Sequence, residues 1–256
     1  MIKEKFDLTG RWALVTGSAR GIGRAIAAGL AEFGAKVVVH RTKPTQPLEE
    51  SLAAVRAWSP DSFAVTGDLA EEGAAAKLFG GMRARGVEPD IVVCNASVQK
   101  NVPWNEITQA DMAWQMQVNF NATFQMFQLA YPHMKAQGWG RMIVVGSVQE
   151  QRPHPLMAVY AASKSAQENL VRNLARQISK EGITVNNLCP GVFATDRNRE
   201  ALGNPVYAEK VLAAIPMHDY ARPEDAAGTA VLLASDAGRY ITGTTILIDG
   251  GLRLPG

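Results

Sequence analysis

Tyr160 and Lys164 stand four residues apart in VYAASKSA, a stretch with helical patterning, and Ser147 lies upstream, just after the apolar run MIVVG. Side chains four apart on a helix share a face, so a phenol and an ammonium are placed one turn from each other. A phenol with a pKa of about 10 is a fair acid toward an alkoxide and a poor base at neutral pH. A neighbouring ammonium favours the phenolate and is expected to lower that pKa, so that Tyr160 can work in both directions. Ser147 can donate a hydrogen bond to an oxygen that is gaining negative charge. The three groups suit chemistry at a carbonyl or alcohol oxygen. A core tyrosine beside a surface lysine would show the same spacing, so the rest of the chain has to decide.

The first β-branched run is followed by TGSARGIGRAIA, with Gly17, Gly21 and Gly23 spaced G-x-x-x-G-x-G. Gly17 permits the turn off a strand, while Gly21 and Gly23 let the backbone approach a pyrophosphate and let the following helix pack closely. That helix opens at Ile22, and its N-terminus offers free N–H groups and the positive end of a dipole to phosphates. A tight strand-to-helix turn is the plainer explanation, but the position directly between a strand and a helix favours a dinucleotide site. Such a site for NAD carries an acid about 20 residues further on. Twenty residues after Gly21 stands Arg41, in HRTK, with no carboxylate nearby. Arg41 and Arg20 suit bidentate contact with a 2′-phosphate, with Lys43 adding charge, so NADP(H) is expected over NAD(H). Hydride arriving at a carbonyl carbon would leave on oxygen the charge that Tyr160 and Ser147 are equipped to meet.

Elements that could position these residues follow from the apolar runs. WALVT (12–16), KVVVH (36–40), FAVTG (63–67), DIVVC (90–94), MIVVG (142–146), ITVNNL (183–188) and TILID (245–249) are mostly apolar on both faces, as strands of a helix-covered parallel sheet must be. Helical patterns occupy 22–33, with Gly34 as a stop, 108–135, with a cap from Thr108 toward Asp111, 157–180, and 223–234, which opens on Pro223. The alternation predicts an α/β doubly wound sheet of about seven parallel strands with helices on both faces, in one domain over 1–256. The stretch 195–220 has no adjoining strand and is read as an insertion over the carboxyl edge of the sheet.

TGSARGIG, the end of DIVVCNAS, Ser147, YAASK and the Pro-Gly of LCPGVFATD together resemble the classical short-chain dehydrogenase/reductase family over the whole chain. The resemblance implies a single Rossmann-type domain with a seven-stranded parallel sheet, assembled as a homotetramer or a homodimer. It implies NAD(P)-dependent interconversion of an alcohol and a carbonyl, with Ser147, Tyr160 and Lys164 catalytic and Lys164 also holding the nicotinamide ribose. Asn119, in QVNFNA, matches an asparagine whose backbone helps hold a proton-relay water. Asp68 and Leu69 match the adenine contacts, although Asp68 would equally cap the next segment. Asn95 and Ala96 match positions near the adenine ribose, and Pro190, Gly191, Val192 and Thr195 those beside the nicotinamide. The usual N-N-A-G reads Cys94-Asn95-Ala96-Ser97, so a positive φ at Ser97 would carry a cost. His40 replaces a small or polar residue and is read as either stacking on adenine or a surface histidine.

The bulk properties exclude other classes. The 256 residues are 47% hydrophobic and 20% charged, with a net charge of +2, which gives no nucleic-acid footprint. Cys94 and Cys189 form neither a metal pattern nor a disulfide framework, so no metal is expected and a reducing compartment is. The N-terminus lacks the apolar core of a signal peptide and no apolar run spans a membrane, so a soluble cytoplasmic protein is expected. Polar and basic residues in the loops (Lys100, Gln149, Gln151, Arg152, His154, Arg197 and Arg199) suggest a small polar, sugar-like carbonyl or alcohol substrate. An apolar slot from Trp104, Met157, Phe193 and Tyr207 would suit a 3-oxoacyl thioester instead. An NADP(H)-binding regulator without turnover is the non-enzyme alternative; it would be expected to lack one of Ser147, Tyr160 and Lys164.

Overall fold

The seven apolar runs all form strands. In the computed structural model, which describes residues 1–254, the order is β1 (Trp12–Val15), α1 (Gly21–Glu32), β2 (Lys36–Arg41), α2 (Gln46–Arg56), β3 (Phe63–Thr66), α3 (Ala74–Arg83), β4 (Ile91–Cys94), α4 (Gln109–Met116), α5 (Ala122–Gln137), β5 (Gly140–Val145), α6 (Ala158–Ile178), β6 (Ile183–Pro190), α7 (Arg199–Leu202), α8 (Pro205–Ala213), α9 (Ala227–Ala234) and β7 (Thr245–Ile248). One parallel sheet runs β3-β2-β1-β4-β5-β6-β7.

Alternate strand residues feed two cores, as the period of two requires. Val15, Val37, Val39, Val93 and Ile143 pack with Ile26 and Leu30 of α1, Leu48 of α2 and Val231 of α9 on one face. Leu14, Val38, Val92, Met142 and Val185 pack with Phe79 of α3, Phe127 of α5 and Val171 of α6 on the other. The central strands are buried along their length, whereas the edge strand β7 is only partly buried. Gly34, at φ +98°, ends α1 where its sequence position suggested.

Two features differ from the sequence reading. The helix expected over 108–135 is broken by a π-helical turn at Gln117–Asn121. Its predicted start holds, since Thr108 Oγ1 accepts from Asp111 N at 3.1 Å. Helices α2 and α3 are additional to the four helical patterns of the sequence. The segment 195–220 contains α7 and α8 and covers the carboxyl edge of the sheet.

Candidate active site

Strand β4 pairs with β1 although two strands and three helices lie between them in sequence, so the connections leave in opposite directions. Doubly wound sheets bind ligands in the crevice at such a switch point, beyond the carboxyl ends of the strands. A cavity of about 450 Å³ opens there. Fourteen of the residues assigned above to the dinucleotide line it, as do Ser147 and Tyr160, whereas Lys43 does not. Lys164 and Asn119 are not in its wall; both are buried.

The glycine loop is shaped as a cradle. Gly17 and Gly21 have φ of +63° and +55°, which side-chain-bearing residues rarely adopt. A Cβ on Gly23 would lie 2.3 Å from Asn95 Nδ2 and 2.6 Å from Gly17 O. Asn95 ties β4 to this loop, its Nδ2 donating to Thr16 O at 2.8 Å and to Gly17 O at 3.1 Å. Arg20, the N-cap of α1, makes no side-chain cap, so the first N–H groups of the helix have no capping side chain. These features fit a pyrophosphate. Arg41 also lines the cavity, its Nη1 donating to Thr45 Oγ1 at 2.9 Å, while Asp68 Oδ1 accepts from Ala70 N at 3.0 Å. Asp68 therefore closes a turn and does not cap α3, whose N-cap is Gly73.

His40 is not a surface residue, and it lines the cavity. It is buried, with Nδ1 accepting from Gly17 N at 3.1 Å and Nε2 donating to Gly67 O at 3.0 Å, so it bolts the glycine loop to the end of β3. Burial lowers its pKa and keeps this bridge neutral. No sequence signal marked that role. Ser97 carries no positive φ; among the described non-glycine residues only His218 does. Both cysteines are buried, and burial pushes the Cys94 thiol up to about 12 and raises that of Cys189 as well.

The expectation that Lys164 lowers the Tyr160 pKa needs correction. Tyr160 is raised, chiefly by burial; the Arg197 guanidinium and then the Ser147 side chain pull it back. The Lys164 ammonium lies 5.8 Å from the centroid of the Tyr160 ring and donates to Val145 O at 2.7 Å. Burial, and next Arg197, brings its own pKa down to about 8. Asn119 sits in the π-helical turn, its side chain bridging Val98: Oδ1 accepts from Val98 N at 2.9 Å and Nδ2 donates to Val98 O at 2.9 Å. Its backbone carbonyl accepts from Thr123 Oγ1 at 2.9 Å and from Gln167 Nε2. The group expected to hold a relay water therefore already has two protein donors.

Of the seven polar loop residues, Gln149, His154 and Arg197 line the cavity. Lys100 instead pairs with Asp111 at 3.7 Å, Arg152 donates to Leu252 O, and Arg199 pairs with Asp196. Arg197 crosses the cleft to Ser97 O at 2.6 Å and Ser97 Oγ at 2.9 Å. Met157, Phe193 and Tyr207 also line the cavity, whereas Trp104 is 75% exposed and lies outside it. Among the described residues no cluster of three or more His, Cys, Asp and Glu forms a metal site, and no helix is long and apolar enough to cross a membrane.

A family model described as enoyl-(acyl carrier protein) reductase matches residues 17–253. The chain belongs to the short-chain dehydrogenase/reductase family. It is 31% identical to gluconate 5-dehydrogenase of Gluconobacter oxydans, over 96% of both chains. The solved structure of a 3-oxoacyl-(acyl-carrier-protein) reductase from Agrobacterium tumefaciens C58 with NADP bound superposes with a TM-score of 0.92 at 39% identity, covering 98% of this chain and 97% of that one. A gluconate 5-dehydrogenase from Burkholderia cenocepacia J2315, in complex with NADP and tartrate, gives a TM-score of 0.91 at 31% identity over the full length of both. As a short-chain dehydrogenase/reductase, this protein is a nicotinamide-dependent oxidoreductase of alcohol and carbonyl groups.

Proposed function

We propose that this short-chain dehydrogenase/reductase is an NADP(H)-dependent enzyme that interconverts a ketone and a secondary alcohol on a small polar, sugar-like substrate. The observation that carries the reaction is that Ser147 and Tyr160 line the same cavity as the glycine cradle, with Lys164 buried behind the phenol. The nicotinamide cofactor supplies or accepts hydride at the substrate carbon when bound. Tyr160 gives its proton to the substrate oxygen in reduction and recovers it in oxidation. The Ser147 hydroxyl donates to that same oxygen. Lys164, anchored on Val145 O, keeps a cation beside the phenol as charge develops, and Arg197 adds a second. The raised Tyr160 pKa makes the phenol an acid at neutral pH, which suits the reducing direction there.

NADP(H) over NAD(H) rests on Arg41 and Arg20 in the cavity wall and on the NADP in the two related structures. The polar substrate rests on Gln149, His154 and Arg197 and on the two gluconate 5-dehydrogenases among the relatives. A second reading, reduction of a 3-oxoacyl thioester, is favoured by the 39% identical relative and by Met157, Phe193 and Tyr207 in the wall. The cofactor-sensing regulator is disfavoured because Ser147, Tyr160 and Lys164 are all present. An exposed apolar groove of about 260 Å³ between α5 and α6, lined by Phe124, Tyr131, Leu174 and Ile178, supports self-association, for which a homotetramer is our reading and light scattering the check. We read the chain as a single domain working in the cytoplasm.

Initial rates with NADPH and NADH against sugar acids, polyols, short ketones and β-ketoesters, with the alcohols run in reverse, test these readings. A polar hit with NADPH is expected. A hit confined to β-ketoesters moves the assignment to the acyl reductase, and binding of NADPH without any turnover revives the regulator.

A further inference from the structure

Directly behind Ser147 lies a carboxyl group that the reaction scheme above does not use. Ser147 is the N-cap of a three-residue 3₁₀ turn, Val148–Glu150, and the two ends are locked reciprocally. Ser147 Oγ accepts from Gln149 N at 3.2 Å, and Ser147 N donates to Glu150 Oε1 at 2.9 Å. A hydroxyl that is already accepting from its own turn keeps its proton for another acceptor. Glu150 Oε2 in turn accepts from Asn187 Nδ2, on β6, at 2.8 Å. The space is built around this carboxyl: a Cβ on Gly146 would lie 2.1 Å from Glu150 Oε1 and 2.4 Å from Asn187 Oδ1.

We propose that Glu150 is a positioning residue, whose carboxyl group holds Ser147 so that the serine hydroxyl proton faces the reacting oxygen, and which takes up and releases a proton to solvent, donating to the Asn187 side chain when protonated and accepting from it when ionised. The second half rests on Asn187, which is fully buried and whose Oδ1 has no hydrogen-bond partner. A protonated Glu150 carries a donor for that acceptor, while the ionised form accepts from Asn187 Nδ2; in both forms Oε1 remains available to Ser147 N. Burial, the largest effect, pushes Glu150 up to about 7, so both forms are present near neutrality. The titratable groups that face it come from two elements. From α6, Lys164 favours the carboxylate, Glu168 opposes it, and the Tyr160 phenol, whose own pKa Glu150 helps to raise, faces it. From β6 comes the Cys189 thiol, which stays protonated. Arg197, beyond, opposes the Lys164 cation that Glu150 supports.

The proposal rests on Ser147 acting on the substrate oxygen, so Ser147→Ala is measured alongside. Glu150→Gln keeps an acceptor for Ser147 N and a donor for Asn187 Oδ1; its kcat is expected to stay within about threefold of wild type, with the KM for NADPH unchanged. Glu150→Ala and Glu150→Asp, which withdraw the acceptor from Ser147, are expected to lower kcat roughly 10- to 100-fold at unchanged cofactor KM, the scale of a displaced catalytic group. The second readout needs no turnover. An acid whose folded pKa lies above its unfolded value loses its contribution to stability as pH rises from the unfolded toward the folded pKa, here from about 4.5 to about 7. The cofactor-free Glu150→Gln protein should therefore gain in Tm on wild type as pH rises from 5 to 7.5. Wild-type kcat in Glu150→Asp or Glu150→Ala overturns the positioning role, as does a Gln variant as slow as Ala. A Tm difference that does not change with pH overturns the titration of Glu150 and its switch of hydrogen bond with Asn187. Full turnover in Ser147→Ala would instead overturn the role given to Ser147 in the reaction.

Discussion

Tyr160 faces two opposed demands, being buried enough to stay protonated and placed where it must give that proton up. Removing only its hydroxyl separates chemistry from binding. Tyr160→Phe should lower kcat by about 10²–10⁴, the usual worth of a positioned general acid, and leave the NADPH dissociation constant, read by fluorescence titration, nearly unchanged. Retention of most activity would remove Tyr160 from the acid–base role. Lys164 gives a second residue-scale test. Its folded pKa, about 8, lies below the ordinary 10.5. Below pH 8 the folded chain bears a buried ammonium; between about 8 and 10.5 it has released that proton while the unfolded chain has not, so this group makes stability rise with pH across that window. The full span corresponds to roughly 3 kcal/mol at about 1.4 kcal/mol per pKa unit. Cys94, Cys189 and Tyr160, all raised by burial, pull the other way at high pH. The measurement is therefore the difference between wild type and Lys164→Met in urea denaturation from pH 7.5 to 10.5. A constant difference would mean the lysine titrates normally. At this scale Ser147, Tyr160 and the glycines were legible in sequence because their chemistry depends on type and spacing. Glu150 is legible too, as the last residue of S-x-x-E, the capping-box signature. The role of His40 was not, because its partners, Gly17 and Gly67, are set by how β1, β2 and β3 lie side by side.

Among the elements, β4 does more than fill the centre of the sheet. Asn95, just past its end, donates to two carbonyls of the β1–α1 turn, and its backbone N takes Thr16 Oγ1 as acceptor at 3.0 Å. The cofactor cradle is thus held from a strand 79 residues away in sequence. Asn95→Ala strands two carbonyls and loosens the turn, at a cost of about 1–3 kcal/mol in stability, the usual range for orphaned buried groups. Its expected kinetic mark is a raised KM for NADPH with a smaller change in kcat, measured by initial rates; the reverse pattern would mean that Asn95 acts at the reacting centre. Strands were legible because parallel strands buried on both faces must be continuously apolar. Helices α2 and α3 were harder to read for local reasons. Three buried residues, Leu48, Ser51 and Val55, are the whole inward face of α2, and Gly80 and Gly81 interrupt α3 with residues that suggest a break. The π-helical turn left no trace in residue type. It is accompanied by tertiary contacts from α6, in which Gln167 Nε2 donates to the Asn119 carbonyl and Ser163 Oγ accepts from Asn119 Nδ2 at 3.0 Å, and by a local bond from Thr123 Oγ1 to the same carbonyl.

For the molecule as a whole, the cavity is walled by the ends of β1, β2, β4, β5 and β6 together, so only the folded chain can bind across it. Binding must then raise global stability by mass action. At about 100 times its dissociation constant, a cofactor adds roughly 2.7 kcal/mol. For a chain of this length that corresponds to roughly 5–10 °C in Tm, at about 2–4 °C per kcal/mol. With Arg41 and Arg20 both in the wall and no acid at the end of β2, NADPH should give the larger shift and NADH, at equal concentration, a much smaller one. Arg41→Asp replaces the cation by a carboxylate, which repels a 2′-phosphate and accepts from a 2′-hydroxyl. The order of the two shifts should then invert, as read by differential scanning fluorimetry, while the Tm without cofactor changes little because Arg41 makes only the Thr45 contact through its guanidinium. Loss of both shifts would mean that Arg41 shapes the site for either cofactor. An unchanged order would transfer the reading of the phosphate to Arg20, whose Nη1 lies 3.8 Å from Asp196 Oδ2 across the mouth of the cleft and would have to leave that partner to do so.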